Sequence, residues 1–386
     1  MKNKILHIIT GLSVGGAEKS LFNLLKNGLS DRFENIVISL RDDGFYGEVI
    51  RQLGIPVYTL RIKKILSYPS TFACLRSITR DLQPNIIQGW MYHGNLIAYL
   101  AKKICKDDPK IIFNIRQSLY GMANEKPLTR QVIRINRQLS HHIDTILYNS
   151  QTSRRLHSDF GFSSKNSSVI FNGFDTKIFR PDRDCGLRIR KALDIPEKAR
   201  VIGHVARFHP MKDHATFLRA IIPILNHYAD VHVLLVGKDI TTENQLISSI
   251  FPEQSKKRLH FLGERIDIPD LMRTMDIFVQ SSWSEAFPNV LGEAMSTGIS
   301  CLATNVGDSQ VIIGKTGFII PPKNDVALFI ELKKMLDKTD EERQASGMMA
   351  RERIIEKYSL EATVNQYINL YENLIHSTKS IKACAG

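Results

Sequence analysis

The chain has 386 residues, 43% hydrophobic and 24% charged; the length suggests two domains and the composition excludes a disordered or fibrous chain. Its five cysteines, Cys74, Cys105, Cys185, Cys301 and Cys384, are scattered and form no C-x-x-C pair, which argues against a disulfide framework or a structural zinc site and for a reducing compartment. The net charge of +13 is unevenly spread: residues 1–175 hold 24 Lys and Arg against 13 Asp and Glu, the rest 28 against 26, so the first half suits an anionic partner or a phosphorylated substrate.

The opening "MKNKILHIITGL" has a basic start, but its apolar run is too short for a secretion signal and reads as a buried first strand. No apolar stretch approaches the length needed to span a bilayer, so membrane contact is expected to be peripheral. Further strand candidates follow in order: "ENIVISL", "PVYTL", "PNIIQ", "KIIFNI", "DTILYNS" and "SVIFN", with periodic helices such as 17–28 and 94–105 between them. A turn at Asn172-Gly173 and the interruption at Pro181 mark a boundary, after which the pattern restarts with "VIGHVARF", "HVLLVG", "LHFLG", "DIFVQ", "SCLAT" and "GFIIPP". Alternating strands and helices in both halves predict two parallel-sheet α/β domains, residues 1–175 and 176–359. The closing "LEATVNQYINLYENLI" puts Leu360, Val364, Tyr367, Leu370, Tyr371 and Leu374 on one face of a long helix that belongs to neither sheet.

In open parallel sheets, ligands bind beyond the carboxyl ends of the strands, where loops lead into helix N-termini. Three loops there have unusual composition. "TGLSVGGAEKS" carries Gly15 and Gly16 ahead of a helix expected near Ala17, which permits close backbone approach to an anion; a plain tight turn is the alternative. It is not G-x-G-x-x-G, which disfavours a nicotinamide enzyme. "ARFHPMKDHATFL" places Arg207 at a strand end and Lys212 before Asp213, a candidate helix cap; the two cations can clamp an anion, or one can pair with a nearby carboxylate. "SSWSEAFPNVLGEAM" delivers Glu285 to a strand end. Pro288 is expected at the first helical turn, leaving the N–H groups of Asn289, Val290 and Leu291 directed outward, and Glu293 follows where a carboxylate can accept from a ribose diol. An exposed, solvated helical glutamate is the ordinary alternative for either acid.

The stretches "GGAEKSLFNLL", "VARFHPMKDHATFLRAI", "LGERIDIPDLMRTMDIFVQSSWSEAFPNVLGEAMSTGISCLATNVGDS" and "GFIIPPKNDVAL" resemble glycosyltransferase family 4, retaining nucleotide-sugar transferases of the GT-B fold. The likeness covers nearly the whole chain, and its most specific element is Glu-x7-Glu with Arg and Lys upstream. It implies two Rossmann-like domains facing across a cleft, with a terminal helix, about 360–380, crossing back to the first. It assigns Arg207 and Lys212 to the donor diphosphate, Glu285 to the transferred sugar, backbone from Ala286 through Phe287, Pro288 and Asn289 to the same sugar, Glu293 to ribose, Gly16 to the phosphates and Arg265 to the neighbourhood of the base. Two departures stand out. Ala286 replaces the usual glycine after the first glutamate, and Trp90 stands where many relatives carry a histidine, with His93 three residues later as a candidate for that role, a packed or capping histidine being the alternative.

The resemblance further implies transfer of a hexose or N-acetylhexosamine from a nucleotide-diphosphate sugar, UDP favoured, to a glycan or polyprenyl-diphosphate-linked acceptor in bacterial surface polysaccharide or lipopolysaccharide assembly. It places the enzyme in the cytoplasm, at the inner membrane face. No cofactor is expected. No divalent metal is expected either, since Arg207, Lys212 and helix dipoles supply the positive charge. Asp182-Arg-Asp184 spells a D-x-D metal motif, but in the interdomain linker rather than after a sheet strand. Arg116, at the end of "KIIFNI", is a candidate for the acceptor, ordinary salt bridging being the alternative. In "KPLTRQVIRINRQLSHH" a helical projection groups Leu128, Val132, Ile135 and Leu139 as a core-facing stripe opposite Lys126, Arg130, Arg134 and Arg137, a basic face suited to an anionic leaflet; no aromatic-interleaved stripe favours nucleic acid. A two-lobed sugar-binding protein and a nucleotide-sugar epimerase share the architecture and are the rival readings.

Overall fold

The computed structural model describes residues 2–62, 69–119, 125–244 and 257–383. Among them the chain forms two compact units, Met1–Gly173 with Leu360–Gly386, and Phe174–Ser359. The first holds a seven-stranded parallel sheet of β1 (Lys4–Ile9), β2 (Glu34–Ser39), β3 (Val57–Thr59), β4 (Ile86–Trp90), β5 (Lys110–Ile115), β6 (Thr145–Tyr148) and β7 (Ser167–Val169), in the order β3-β2-β1-β4-β5-β6-β7. The second holds a six-stranded parallel sheet of β8 (Arg200–Val205), β9 (Val231–Val236), β10 (Leu259–Phe261), β11 (Ile277–Gln280), β12 (Ser300–Thr304) and β13 (Phe318–Ile320), in the order β10-β9-β8-β11-β12-β13. Every expected strand segment is found. The strands read as continuous apolar runs because helices cover both faces of a parallel sheet, and most of their residues are buried. Each order reverses once, between β1 and β4 and between β8 and β11, and such reversals open a crevice at the carboxyl ends.

The last helix, Leu360–Ala383, packs within the first unit. Leu360, Val364, Tyr367, Tyr371 and Ile375 are buried in one cluster with Ile5, Leu21, Leu24 and Trp90. Its contact with the sheet is partly polar: the Tyr371 hydroxyl donates to Gln88 Oε1 at 2.7 Å, and Asn114 Nδ2 donates to the Tyr367 hydroxyl at 3.2 Å. Each aromatic side chain contributes about 1.5–3 kcal/mol through burial, while the paired hydroxyls fix the register of the helix on the sheet.

Three local expectations are corrected. The periodic segment 17–28 forms a helix over Gly16–Leu24 and then leaves α geometry at Asn27 and Gly28; Gly28 takes φ +119°, a conformation open to glycine. In the Pro127–Leu139 helix the buried face is Val132, Ile133 and Asn136, while Leu128 is 58% and Ile135 40% exposed. Asn136 takes this place because its side-chain amide donates to the carbonyls of Tyr92 and Val132, so the stripe is rotated from the one that apolar residues alone define. Asp182 is the cap of the Arg183–Ala192 helix, accepting from the Cys185 backbone N–H at 3.0 Å. The four described cysteines are free, and Cys384 lies outside the described residues.

Candidate functional site

In the second unit the loops after β8 and β11 meet at the strand-order reversal. β8 ends at Val205; Arg207, two residues on, is exposed and forms no ion pair among the described residues. A short helical turn, Pro210–Lys212, follows, with His209 accepting from the Met211 N–H at 3.3 Å. Asp213 then takes a left-handed conformation, φ 49° and ψ 51°, and caps the His214–His227 helix through Thr216 N–H at 3.3 Å and Thr216 Oγ1 at 2.7 Å. Aspartate tolerates this conformation better than most residues, and its side chain repays part of the strain by satisfying an orphan donor. The turn thereby aims Lys212 back at the strand ends.

Lys212 Nζ lies 2.5 Å from Glu285 Oε1, and the Ser282 hydroxyl donates to the same oxygen at 2.8 Å. Both charged side chains are only partly exposed, so their attraction is screened less than on an open surface. One of the two expected cations is thus paired with a carboxylate of the same site, and an incoming anion would compete with Glu285 for it. Ala286 does not enter the left-handed region, so replacing the usual glycine strains nothing. The neighbouring glycine matters instead: Gly307 takes φ +53°, and a β-carbon there would lie 2.5 Å from the Ala286 carbonyl oxygen and 2.6 Å from that of Glu285. The Asp308 N–H donates to the Ala286 carbonyl at 3.0 Å, completing a shelf under the glutamate loop.

Pro288 is the N-cap of the Asn289–Ser296 helix, one residue earlier than expected, and its own side chain makes no capping hydrogen bond. Phe287 turns inward to stack on Phe174 at 5.9 Å between ring centroids, leaving its backbone at the site. Gly292 permits this, since a β-carbon would lie 2.0 Å from the Phe174 ring. Lys212, Ser282, Glu285, Phe287, Pro288, Asn289 and Val290 line one pocket of about 150 Å³ with His204, Val205, Ala206 and Gln280. Glu293 is buried one turn into the helix and is absent from that lining. Arg265 forms a two-point ion pair with Asp267, at 2.8 and 2.6 Å, in the loop after β10. A larger cavity of about 440 Å³ lies elsewhere in this unit, lined by Asp182, Arg190, Asp276 and Arg343; Arg190 is consumed by backbone carbonyls and Asp276, and none of the expected site residues reaches it.

In the first unit the corresponding reversal holds the glycine loop and His93. Gly15, in extended backbone, precedes the Gly16–Leu24 helix and offers no side-chain cap, while the Glu18 carboxylate folds back to its own backbone N–H at that end. Met91 joins β4 to the Met91–Ile104 helix with φ +63°, and His93 follows in the first turn, half-buried. Burial and the nearby Arg41 cation lower the His93 pKa, keeping the imidazole neutral. Trp90 is fully buried, and its indole N–H donates to His7 Nδ1 at 3.3 Å. Arg116 donates to the Tyr367 hydroxyl at 3.3 Å, to Ser20 Oγ at 2.7 Å and to Asn172 Oδ1, and lies over the Trp90 ring at 5.3 Å. An acceptor group at Arg116 would share the guanidinium with these partners.

Sequence reading overlooked Ser282 and Gly307. A hydroxyl three residues before a turn glutamate is the signal for the first, and a glycine just beyond a buried strand, in "TNVGD", for the second. Residues 14–178 match the family described as Glycosyltransferase Family 4, and residues 199–338 the one described as Glycosyl transferases group 1. The chain is 25% identical over 292 residues to N-acetyl-alpha-D-glucosaminyl L-malate synthase of Bacillus anthracis, covering 74% of each. It is 29% identical over 213 residues to the UDP-Gal:alpha-D-GlcNAc-diphosphoundecaprenol alpha-1,3-galactosyltransferase of Escherichia coli, covering 54% of each. Among solved structures it shares its fold with Anabaena HepE, crystallised with UDP and glucose, at a TM-score of 0.81 and 21% identity over 96% of this chain and 100% of that one. With its two halves matched in order and its paired parallel sheets shared with such transferases, the chain belongs to glycosyltransferase family 4 and has the GT-B fold.

Proposed function

We propose that the protein transfers a hexose or N-acetylhexosamine from a nucleotide-diphosphate sugar, UDP favoured, to a glycan or lipid-linked acceptor in surface polysaccharide or lipopolysaccharide assembly, with retention of anomeric configuration. The observation that carries this reading is the Lys212–Glu285 pair beside the N-terminus of the Asn289–Ser296 helix at the β8/β11 reversal. A diphosphate entering there finds Arg207, Lys212 and the N–H groups of the Asn289–Ser296 helix, all of which stabilise the charge that grows on a departing phosphate oxygen. Displaced from Lys212, Glu285 accepts from sugar hydroxyls on this reading, and Glu293 is assigned to the ribose. On this reading a phosphate oxygen of the leaving group takes the acceptor proton, and positioning supplies most of the catalysis. Arg207, Lys212 and the helix end provide the positive charge, so transfer proceeds without a divalent cation.

The E. coli relative's name specifies a UDP-sugar donor and a diphosphoundecaprenol acceptor, which supports a donor and acceptor of those classes here. No helix among the described residues is long and apolar enough to cross a membrane. The Pro127–Leu139 helix exposes Leu128 and Ile135 beside Arg134, a pairing of apolar and cationic groups that suits the interface of an anionic leaflet at the cytoplasmic face. The test is product analysis with a panel of nucleotide sugars and membrane lipid extract, reading the anomeric configuration of the new bond by NMR. Release of an altered sugar nucleotide without acceptor would establish an epimerase instead, and binding without turnover a sugar-binding protein.

A further inference from the structure

The Lys212 turn is held from beneath by a buried relay that neither β8 nor β11 reveals in isolation. Ser281, fully buried at the end of β11, places its Oγ 2.9 Å from the Lys212 carbonyl oxygen and 3.1 Å from that of Asp213. His204, buried on β8, lies on the other side with Nε2 3.0 Å from the same Oγ. A serine hydroxyl has one proton. Pointing it at the histidine would set its lone pairs against two carbonyl oxygens, so the hydroxyl donates to the carbonyls and His204 Nε2–H donates to Ser281. The His204 ring is itself fixed, with Phe217 at 4.5 Å and His214 edge-on at 4.8 Å between centroids. Burial pushes its pKa well below the usual value, so the neutral, donating form persists.

We propose that His204, acting through Ser281, is a positioning residue for the phosphate clamp: it locks the two carbonyls around the strained Asp213 and so fixes where Lys212 points. This rests on the reading that Lys212 binds the donor diphosphate. Ser281 lies outside the pocket lining and His204 is buried in its wall, so the relay is argued to act through the placement of the ammonium. Ser281→Ala and His204→Phe remove the relay, while Ser281→Thr keeps the hydroxyl and His204→Gln restores an amide donor near Nε2.

The test is calorimetric binding of UDP and UMP to wild type, Ser281→Ala, His204→Phe, the two conservative variants, Lys212→Ala and the double variant Lys212→Ala/Ser281→Ala. Loss of the relay is expected to weaken UDP about 3- to 10-fold, the range of one net hydrogen bond, with UMP changed less than about 2-fold and His204→Gln or Ser281→Thr recovering most of the loss. In the Lys212→Ala background the Ser281 change is expected to add nothing, because the turn no longer presents a charge. Equal losses for UDP and UMP, or a full Ser281 effect without Lys212, would reduce the relay to general support of the fold and overturn the proposal. Wild-type UDP affinity in Ser281→Ala alongside a large loss in Lys212→Ala would overturn the relay and leave the clamp standing. If Lys212→Ala itself binds UDP normally, the clamp reading fails and the relay with it.

Discussion

Two arginines near the ends of central strands have opposite fates. Arg116, just past β5 in the first unit, is drawn into hydrogen bonds with Tyr367, Ser20 and Asn172 and over the Trp90 ring. Arg207, two residues past β8 in the second, is exposed with no ion pair among the described residues. The difference lies in what covers each sheet. The returning terminal helix sets Tyr367 against the first sheet, so a cation there serves to hold the chain together. Beyond β8 the chain turns away through Pro210, and Arg207 stays available to an anion, while Lys212 is shared with Glu285. A basic residue at a strand end is therefore read as a binding group where no later segment of the chain consumes its hydrogen bonds.

The largest effect expected from this contrast is in the second unit. Lys212→Ala and Arg207→Ala should each lower transfer by about 2–4 kcal/mol, roughly 30- to 1000-fold, with donor limiting. Wild-type rates in both would place the phosphate elsewhere. In the first unit, Arg116→Ala is expected to act on stability, by about 2–3 kcal/mol in urea unfolding, because it strips hydrogen bonds made by a charged group. Unchanged stability with a raised acceptor KM would reverse the assignment and make Arg116 a substrate contact.

Acid should act on both units. Burial lowers the pKa of His7 and His157 in the first, and of His214 and His260 in the second, to about 4 from 6.5, and holds that of His204 well below its usual value. Below pH 6.5 the unfolded chain takes up protons that these folded imidazoles refuse, so stability is complete above 6.5 and declines until about pH 4. At pH 5 each fully buried histidine of this kind costs roughly 2 kcal/mol. His214→Phe should lose less stability than wild type between pH 7 and pH 5; an equal loss would remove His214 from the account.

A subtler separation concerns the two glutamates. Glu293→Ala is expected to weaken binding of bare UDP several-fold, whereas Glu285→Ala should spare it or tighten it slightly, since Lys212 loses its competing partner, and yet impair transfer. Parallel losses in both assays would refute the division of roles. The smallest effect belongs to the membrane face. Sedimentation with anionic vesicles should fall with rising salt and fall again in Arg130→Gln/Arg134→Gln or Leu128→Ser/Ile135→Ser, each cation counting for about 1 kcal/mol. Binding indifferent to salt and to both variants would leave recruitment unsupported.

The fold was legible because its signals are local. Thirteen apolar runs of strand length, punctuated by Gly, Pro and Asn, need only be buried on both faces to become parallel strands, and all thirteen did. Asp213 as a cap and the last helix as an amphipathic one followed from the same kind of evidence. The candidate site was legible as a set of loop residues near one another, since charged and glycine-rich loops at the carboxyl ends of strands stand out from the core. Their pairing was not. The helix at 127–139 shows the limit most plainly: its apolar residues named one stripe, but a side-chain amide with two carbonyl partners turned a different face inward.

By itself the sequence determined that this chain folds as two parallel α/β units and named a cationic candidate site after the eighth strand, because strand burial, turn chemistry and capping act over a few residues. Only the tertiary structure decided that Lys212 meets Glu285 across 73 positions, that Ser281 holds the turn beneath it, and that Arg116 is claimed by a helix 251 positions later. Such contacts depend on which strands become neighbours and on which surface a distant helix covers, and no local propensity encodes either.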